Sequence, residues 1–319
     1  MLREEISKKS SIIEKEINKY LKIQEPEELY KASRHLISAG GKRLRPVLSL
    51  ISTEAIGEDY RKILPAAIAI EIIHNFTLIH DDIMDKDVLR RGVPTVHVKW
   101  DEPTAILAGD TLFAKAFEII TECDVEPENL VKASRMLAEV CISICEGQYL
   151  DMNFEDRAQI SEEEYIDMVK KKTAVLIAAS CSLPAVLFGK DKKIVDTLWN
   201  FGLLSGTAFQ IHDDVLDIIG GEKIGKDWCS DIVEGKKTII IIKAIESGVN
   251  LEIFGKGNAD EKEKKMAVEK LMKCGAIEYA KSKARHYLNE AKSSLSLLDE
   301  SPARNLLEEI ADYLISREY

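Results

Sequence analysis

Apolar residues recur every three to four positions along most of this chain, the spacing of a helix with one face turned toward a core. Ile6, Ile13, Ile17 and Leu21 trace the first such stripe. Pro26 suits the first turn of a second helix, which Gly40-Gly41 ends. Pro46 starts a third helix and Pro65 a fourth. Further helices are predicted over about 103–122, 128–150, 161–188, 190–219, 238–246, 260–273, 277–297 and 302–317. No run alternates like a strand, and only 238–242 is β-branched enough to tempt that assignment. No long Pro/Ser/Gly linker divides the chain. The pattern predicts an all-α protein with a single domain over residues 1–319.

Composition narrows the classes. The chain is 45% hydrophobic and 31% charged, ordinary values for a globular protein. A net charge of −11 argues against general nucleic-acid binding. The six cysteines form no CxxC pair, and Cys141 and Cys145 lie one helical turn apart. That usage fits core thiols in a reducing, cytoplasmic setting. The charged start, Met1-Leu2-Arg3-Glu4-Glu5, does not read as a signal peptide. The longest uncharged run, 173–189, is interrupted by Pro184 and is shorter than the roughly 20 residues of a membrane span. A buried core helix, with no stable membrane insertion, is expected there.

The chemistry is written in two near-copies of one heptapeptide. Ile79-His80-Asp81-Asp82-Ile83-Met84-Asp85 recurs as Ile211-His212-Asp213-Asp214-Val215-Leu216-Asp217. In each, the first and third carboxylates of DDxxD share a helical face. His74, Asp81 and Asp85 align on one face, as do Gln210, Asp213, Asp214 and Asp217. Phe76, Leu78, Ile79 and Ile83 surround the first cluster; Phe209, Ile211, Val215, Leu216 and Ile218 surround the second. Solvated faces rarely keep such company. Clustered carboxylates repel one another, and a hard divalent cation gives them reason to coexist. Mg²⁺ is typically held by one or two carboxylates plus substrate phosphates. Two such clusters facing one cavity would clamp a diphosphate through metal ions. Neither segment has the glycine or ligand spacing of an EF-hand.

Cations stand where an anion would need them. Gly40-Gly41-Lys42-Arg43-Leu44-Arg45-Pro46 is a glycine turn with three of them. Arg90-Arg91-Gly92 follows the first motif, and Lys170-Lys171-Lys172-Thr173 opens a long apolar segment. Lys226, Lys236 and Lys237 follow the second motif.

Taken together, these motifs resemble the trans-isoprenyl diphosphate synthases, over about residue 30 to the C-terminus. Asp81 to Asp85 with Arg90-Arg91-Gly92 matches the family's first aspartate-rich motif, and Gln210 to Asp217 the second. The Gly41-Lys42-Arg43-Leu44-Arg45-Pro46 block, Lys172-Thr173, and the stretch from Gly225-Lys226 through Asp231 to Gly235-Lys236-Lys237-Thr238 also match. Residues 76–85 followed by Pro94-Thr95-Val96-His97 look most like archaeal geranylgeranyl or bifunctional farnesyl/geranylgeranyl diphosphate synthases. The resemblance implies a large helical bundle, the isoprenoid synthase fold, around a central cavity. It implies head-to-tail condensation of isopentenyl diphosphate with allylic diphosphates (dimethylallyl, geranyl or farnesyl), and a homodimer.

By position, Lys42, Arg45, His74 and Arg91 would bind isopentenyl diphosphate. Arg90, Lys172, Lys226 and Lys236 would hold the allylic diphosphate, with Thr173 and Gln210 beside the forming cation. Lys237 can stand in for Lys236. Asp81, Asp85 and Asp213 would be the main Mg²⁺ ligands, supported by Asp82, Asp214 and Asp217. About two to three ions per site are implied, with Mn²⁺ an acceptable substitute. Arg43 would be a surface or supporting charge.

Phe76 and Thr77, five and four residues before Asp81, would set product length. One aromatic there, and no insertion within the first DDxxD, point to C20 products with some C15. A terpene cyclase, a non-catalytic synthase subunit and an all-α nucleotide hydrolase stay open as alternatives. The duplicated motif and the two cation sets speak against each of them.

Overall fold

The computed structural model describes residues 2–220 and 228–316. Among them the chain is helical almost throughout. It begins with α1 (Leu2–Tyr20), α2 (Glu27–Ser38), α3 (Leu44–Ala55) and α4 (Leu64–Met84). A hairpin of two-residue strands follows, β1 (Leu89–Arg90) and β2 (Val93–Pro94). Next come α5 (Val96–Lys99), α6 (Glu102–Ile120) and α7 (Pro127–Glu155). α8 (Glu162–Val169) passes through a π-helical turn, Lys170–Ala174, into α9 (Val175–Leu187). The chain continues as α10 (Lys192–Ile219), α11 (Ser230–Glu234), α12 (Ile239–Glu246), α13 (Glu261–Lys273), α14 (Ala276–Ser294) and α15 (Pro302–Ile315).

The all-α expectation holds. The tempting stretch 238–242 enters a helix at Ile239, because Ile239 to Ile242 are all buried and packing overrides β-propensity. The expected helical segment over 161–188 is found at Glu162–Leu187 with a π turn inside it, and the small hairpin between α4 and α5 is additional.

The chain divides into two compact units. The first comprises Met1–Cys141, Ala179–Trp199 and Leu297–Leu307. Its axis is α4, which packs on α6, α3 and α1. Ala66 to Ile70, Ile72 and Ile73 have essentially no exposed surface. A helix apolar all round must be covered all round, and each buried isoleucine contributes roughly 1.5–3 kcal/mol. The stretch Tyr60–Met84 is long and apolar enough to cross a membrane, yet it lies mostly inside the protein, as a core helix does. In α6, a Cβ at Gly109 would sit 2.2 Å from the His80 ring, so glycine is what allows that approach.

The second unit comprises Ile142–Ala178, Asn200–Ser296 and Glu308–Tyr319. Its core gathers Tyr165, Ile211, Val215, Ile239 to Ile242, Leu271 and Ala280. Gly202 and Gly206, one turn apart on α10, face Ala178 and Ala174. An added Cβ would come within 2.6 and 2.7 Å of their backbone. This close approach sets Gln210, the next turn of α10, beside Thr173 of the π turn.

Candidate functional site

In the first unit, α2 gives way to a turn in which Gly40 and Gly41 both have positive φ, 96° and 147°. Arg43 follows in the left-handed region and precedes α3. It is buried, not a surface charge. Its Nη1 donates to Glu71 Oε1 at 2.9 Å and its Nη2 to the Ile37 carbonyl at 2.6 Å. Arg91 donates from Nη1 to the carbonyls of Leu36 and Gly40, at 3.0 and 2.5 Å. A Cβ on Gly41 would press on both guanidinium groups at 3.3 Å. Two arginines therefore fold the turn around themselves. Lys42 is exposed on it.

Arg45 and His74 meet at 3.2 Å, Nη1 to Nε2. A guanidinium can only donate, so His74 Nε2 accepts and the ring proton belongs on Nδ1. Burial, and then Arg45, Arg91 and Arg90, hold the His74 pKa well below its ordinary value, so the ring is neutral at pH 7.

The first aspartate motif straddles the end of α4. Asp81 is half-buried in the last turn, and Asp85 is the residue that ends the helix. Asp82 points inward, fully buried, where the Nε of Arg90 donates to it. Arg90 also donates from Nη2 to Asp87, at 2.8 Å. Burial lifts the Asp82 pKa to about 6 against the pull of Arg90. The hairpin delivers this arginine. Arg91 and Gly92 both have positive φ, the geometry of a two-residue type I′ turn. Phe76 lies one turn up α4. Its ring meets His80 edge-on at 4.9 Å and tilts against Phe113 of α6 at 5.3 Å, and Phe113 in turn meets Phe117. Thr77 returns its hydroxyl to the His74 carbonyl.

The second unit holds a small open pocket of about 110 Å³. Asp151, Tyr165, Lys172, Thr173, Gln210, Asp214, Asp231, Lys236 and Lys237 line it. Lys172 donates to Asp151 at 2.5 Å. The Thr173 hydroxyl donates to Gln210 Oε1 at 3.0 Å, and Gln210 Nε2 to Asp214 Oδ1 at 2.9 Å. The Tyr165 hydroxyl reaches Asp214 Oδ2 at 2.5 Å. Asp217 takes the Ser230 hydroxyl at 2.8 Å and the backbone N–H groups of Ser230 and Asp231, so it caps α11. Asp213 is half-buried. Lys236 lies 3.2 Å from Glu234. Lys237 donates to the carbonyls of Phe154 and Glu155, at 2.6 and 3.1 Å, and so serves the C-terminal end of α7. Lys226 lies outside the described residues.

This pocket is rich in acid. Burial first, and then the charges of Asp213 and Asp217, raise Asp214 to about 7; the hydrogen bonds from Tyr165 and Gln210 pull the other way. Burial also raises Asp217, and it raises Asp231 well above the carboxylate range with help from Asp217 and Asp214. Such carboxylates are short of positive charge, and their oxygens are hard donors of the kind Mg²⁺ prefers. Among the described residues, no three His, Cys, Asp or Glu side chains converge as a ready metal nest. A cation here would draw its remaining oxygens from water or a bound phosphate.

Sequence reasoning did not single out Glu71, Asp151 or Tyr165, and it gave Asp231 no role. Only tertiary contacts distinguish them. Tyr165 reads as one more apolar position of α8, and Asp151 as a polar residue near the end of α7.

The polyprenyl synthetase family model matches residues 26–271. The chain is 59% identical, over the full length of both sequences, to the geranylgeranyl pyrophosphate synthase of Geoglobus acetivorans. A solved structure of that organism's geranylgeranyl pyrophosphate synthetase matches with a TM-score of 0.94 at 57% identity, covering 98% of this chain and 99% of that one. A polyprenyl synthase from Caulobacter crescentus CB15, solved with calcium and isoprenyl diphosphate, matches with a TM-score of 0.88 at 32% identity, covering 98% and 97%.

Proposed function

The chain belongs to the polyprenyl synthetase family, and on that premise we propose that it builds geranylgeranyl diphosphate from isopentenyl diphosphate and allylic diphosphates (dimethylallyl, geranyl or farnesyl), with farnesyl diphosphate as intermediate or co-product. It is a short-chain isoprenyl diphosphate synthase, a prenyltransferase. The observation that carries the proposal is the hydrogen-bonded line Thr173–Gln210–Asp214, set in one pocket with Lys172 and Lys236. It offers oxygen atoms to a cation beside ammonium groups for a leaving anion. The family match runs through both units, which supports reading them as one polyprenyl synthetase domain.

Condensation begins when the allylic C–O bond breaks and its electron pair leaves on the diphosphate. By the family resemblance, Lys172, Lys236, Arg90 and Lys226 would hold that diphosphate. The family uses divalent metal ions, and here Asp81, Asp85 and Asp213 would hold Mg²⁺, with Asp82, Asp214 and Asp217 in support. Bound Mg²⁺ supplies charge neutralisation to the leaving group. The resulting carbocation lies beside the Thr173 and Gln210 oxygens. Lys42, Arg45, Arg91 and neutral His74 hold isopentenyl diphosphate, whose double bond attacks the cation and forms the new C–C bond. A proton leaves the adjacent carbon for an oxygen of the departed diphosphate. The products are an allylic diphosphate five carbons longer and inorganic pyrophosphate. No side chain forms a covalent intermediate. The protein works as a homodimer in the cytoplasm. The exposed Ile106, Leu107 and Phe113 of α6 supply apolar surface for the dimer.

Purified protein with labelled isopentenyl diphosphate, each allylic primer in turn and Mg²⁺ tests this directly. C20 alcohols after dephosphorylation, with or without C15, are the expected result. Phe76→Ala should add products of C25 or longer, because the ring that stands against Phe113 is removed. Failure to condense with any primer would overturn the proposal in favour of a partner-dependent subunit.

A further inference from the structure

Glu71 has no part in the assignments above, yet it is a carboxylate in the middle of α4 with only 2% of its surface exposed. An ionised group stays inside a protein only against a partner. Here the partner is Arg43. Its Nη1 donates to Glu71 Oε1 at 2.9 Å, while Nη2 of the same guanidinium donates to the Ile37 carbonyl at 2.6 Å. Asn75 Nδ2, one turn further along α4, donates to the same Glu71 oxygen at 3.2 Å. One planar group thus ties the last turn of α2 to the middle of α4. Glu14 also approaches Arg43, but it is exposed and 4.0 Å from Nε, too far to replace Glu71.

The Gly40-Gly41-Lys42 turn lies between those two ties. Glycine takes positive φ as readily as negative φ, so two in succession cannot hold a turn by themselves. The shape must come from outside. Arg43 and Arg91 supply it, both packed against Gly41. Glu71 serves the second arginine as well as the first. Burial holds the Arg91 pKa below its ordinary value, and Glu71 is the foremost charge that pulls it back up. Glu71 and His74 lie three residues apart on one face of α4. Each takes one arginine from the residues that open α3, Arg43 and Arg45.

We propose that the buried Glu71–Arg43 pair is a positioning device for isopentenyl diphosphate: it sets the Gly40–Gly41 turn so that Lys42 and Arg45 meet one diphosphate together. This rests on the prenyl-transfer reading. The two charges of the pair cancel, so its contribution is geometric and not an added attraction. Without the pair the diphosphate would have to order the turn as it binds, and that cost would be taken from its affinity.

The test uses the full chain carrying Arg43→Met and Glu71→Met together. Both ends of the buried pair leave at once, so no unpaired charge stays inside and the net charge is unchanged. Ile37 keeps the Gly40 N–H at 3.2 Å, and Asn75 keeps the residue-71 carbonyl at 2.8 Å. The expected result is a melting temperature close to that of the wild type and a KM for isopentenyl diphosphate raised about tenfold. The KM for the allylic primer should not change. Arg43→Lys should show the same selective loss, because it keeps the charge but not the fork that reaches two acceptors. An unchanged KM for isopentenyl diphosphate in the double variant overturns the proposal. So does an equal rise for both substrates, the mark of a generally loosened fold. Wild-type affinity in Arg43→Lys overturns it too, since Arg43 would then act as a charge. Should the double variant not fold, Arg43→Lys alone decides. A wild-type protein that condenses with no primer would defeat the prenyl-transfer reading itself, whereas active wild type with indifferent variants defeats only this inference.

Discussion

In α4 the middle aspartate of the motif, Asp82, is buried against the guanidinium of Arg90; in α10 its counterpart, Asp214, is buried against a phenol and an amide. The third aspartates diverge as well. Asp85 ends its helix, while Asp217 stays inside its own and caps another. The buried partners differ in kind: arginine at the first motif, neutral donors at the second. Arg90 meets the first motif, and Arg45, Arg91, Arg90 and Arg43 act on His74, two turns earlier on α4, and keep it neutral. Asp151, Asp231 and Glu234 stand near the second, where Asp214, Asp217 and Asp231 all resist ionisation. Nearly the same letters therefore serve two electrostatic purposes. The helix alone turns each middle aspartate inward, about 100° from the first. What meets it there is set by the fold. The first motif comes with its own counter-charge, and the second waits for a cation.

Removing divalent metal should separate the two most sharply. With EDTA, binding of isopentenyl diphosphate, which draws on Lys42, Arg45, Arg91 and His74, should weaken only a few-fold. Allylic binding and turnover should fall by about 10³-fold or more, because ammonium groups alone face an acidic pocket. Asp213→Ala should reproduce that loss with metal present. Calorimetric titration of each substrate, with and without Mg²⁺, reads both halves. Equal metal dependence for the two substrates would erase the contrast.

Stability sharpens it next. Asp82→Asn leaves Arg90 largely buried with Asp87 and the more distant charge of Asp81 to offset it. Breaking one side of a buried ion pair typically costs about 3–5 kcal/mol, and the remaining charges put the expected cost near the lower end. Urea denaturation of the metal-free variant gives the figure. A loss under about 1 kcal/mol would mean that the pair behaves as an exposed one.

Most of the helices were legible, because an apolar stripe at 3.6-residue spacing needs no tertiary information. Those around the two motifs begin and end within a few residues of their expected bounds. The π turn at Lys170–Ala174 was not legible. It arises where α7 and α10 press on the chain: a Cβ at Gly147 would lie 2.3 Å from the Lys172 nitrogen, and one at Gly206 2.7 Å from Ala174. Distant glycines carry that information. The aspartates, lysines and arginines were visible as motifs, whereas Glu71, Asp151 and Tyr165 were not. Each matters through one partner far along the chain (Arg43, Lys172 and Asp214), and spacing cannot reveal such a pair.

The smallest effect is a dependence of stability on pH, which is larger at the second motif, where Asp214 is raised to about 7, than at the first, where Asp82 is raised to about 6. Asp214 carries a folded pKa of about 7 against 3.8 for an ordinary aspartate. An acid with a raised pKa binds its proton more tightly when folded, so the metal-free protein is favoured while Asp214 is protonated. That stability is lost as pH climbs from about 4 to about 7. Asp214→Asn holds a neutral group there at every pH. At pH 8 the metal-free variant should be the more stable protein, by on the order of 2 kcal/mol. The gain falls short of the full shift because Gln210 loses its charged acceptor. Some pH dependence should persist through Asp217 and Asp231, whose pKa values are also raised. Mg²⁺ with pyrophosphate should reverse the order, since only the carboxylate rewards the cation. Thermal melts of both proteins between pH 5 and pH 8, with and without Mg²⁺ and pyrophosphate, decide it. An Asp214→Asn protein less stable than wild type at pH 8 without metal would show that the Tyr165 and Gln210 hydrogen bonds already satisfy the charge, and the second motif would then resemble the first.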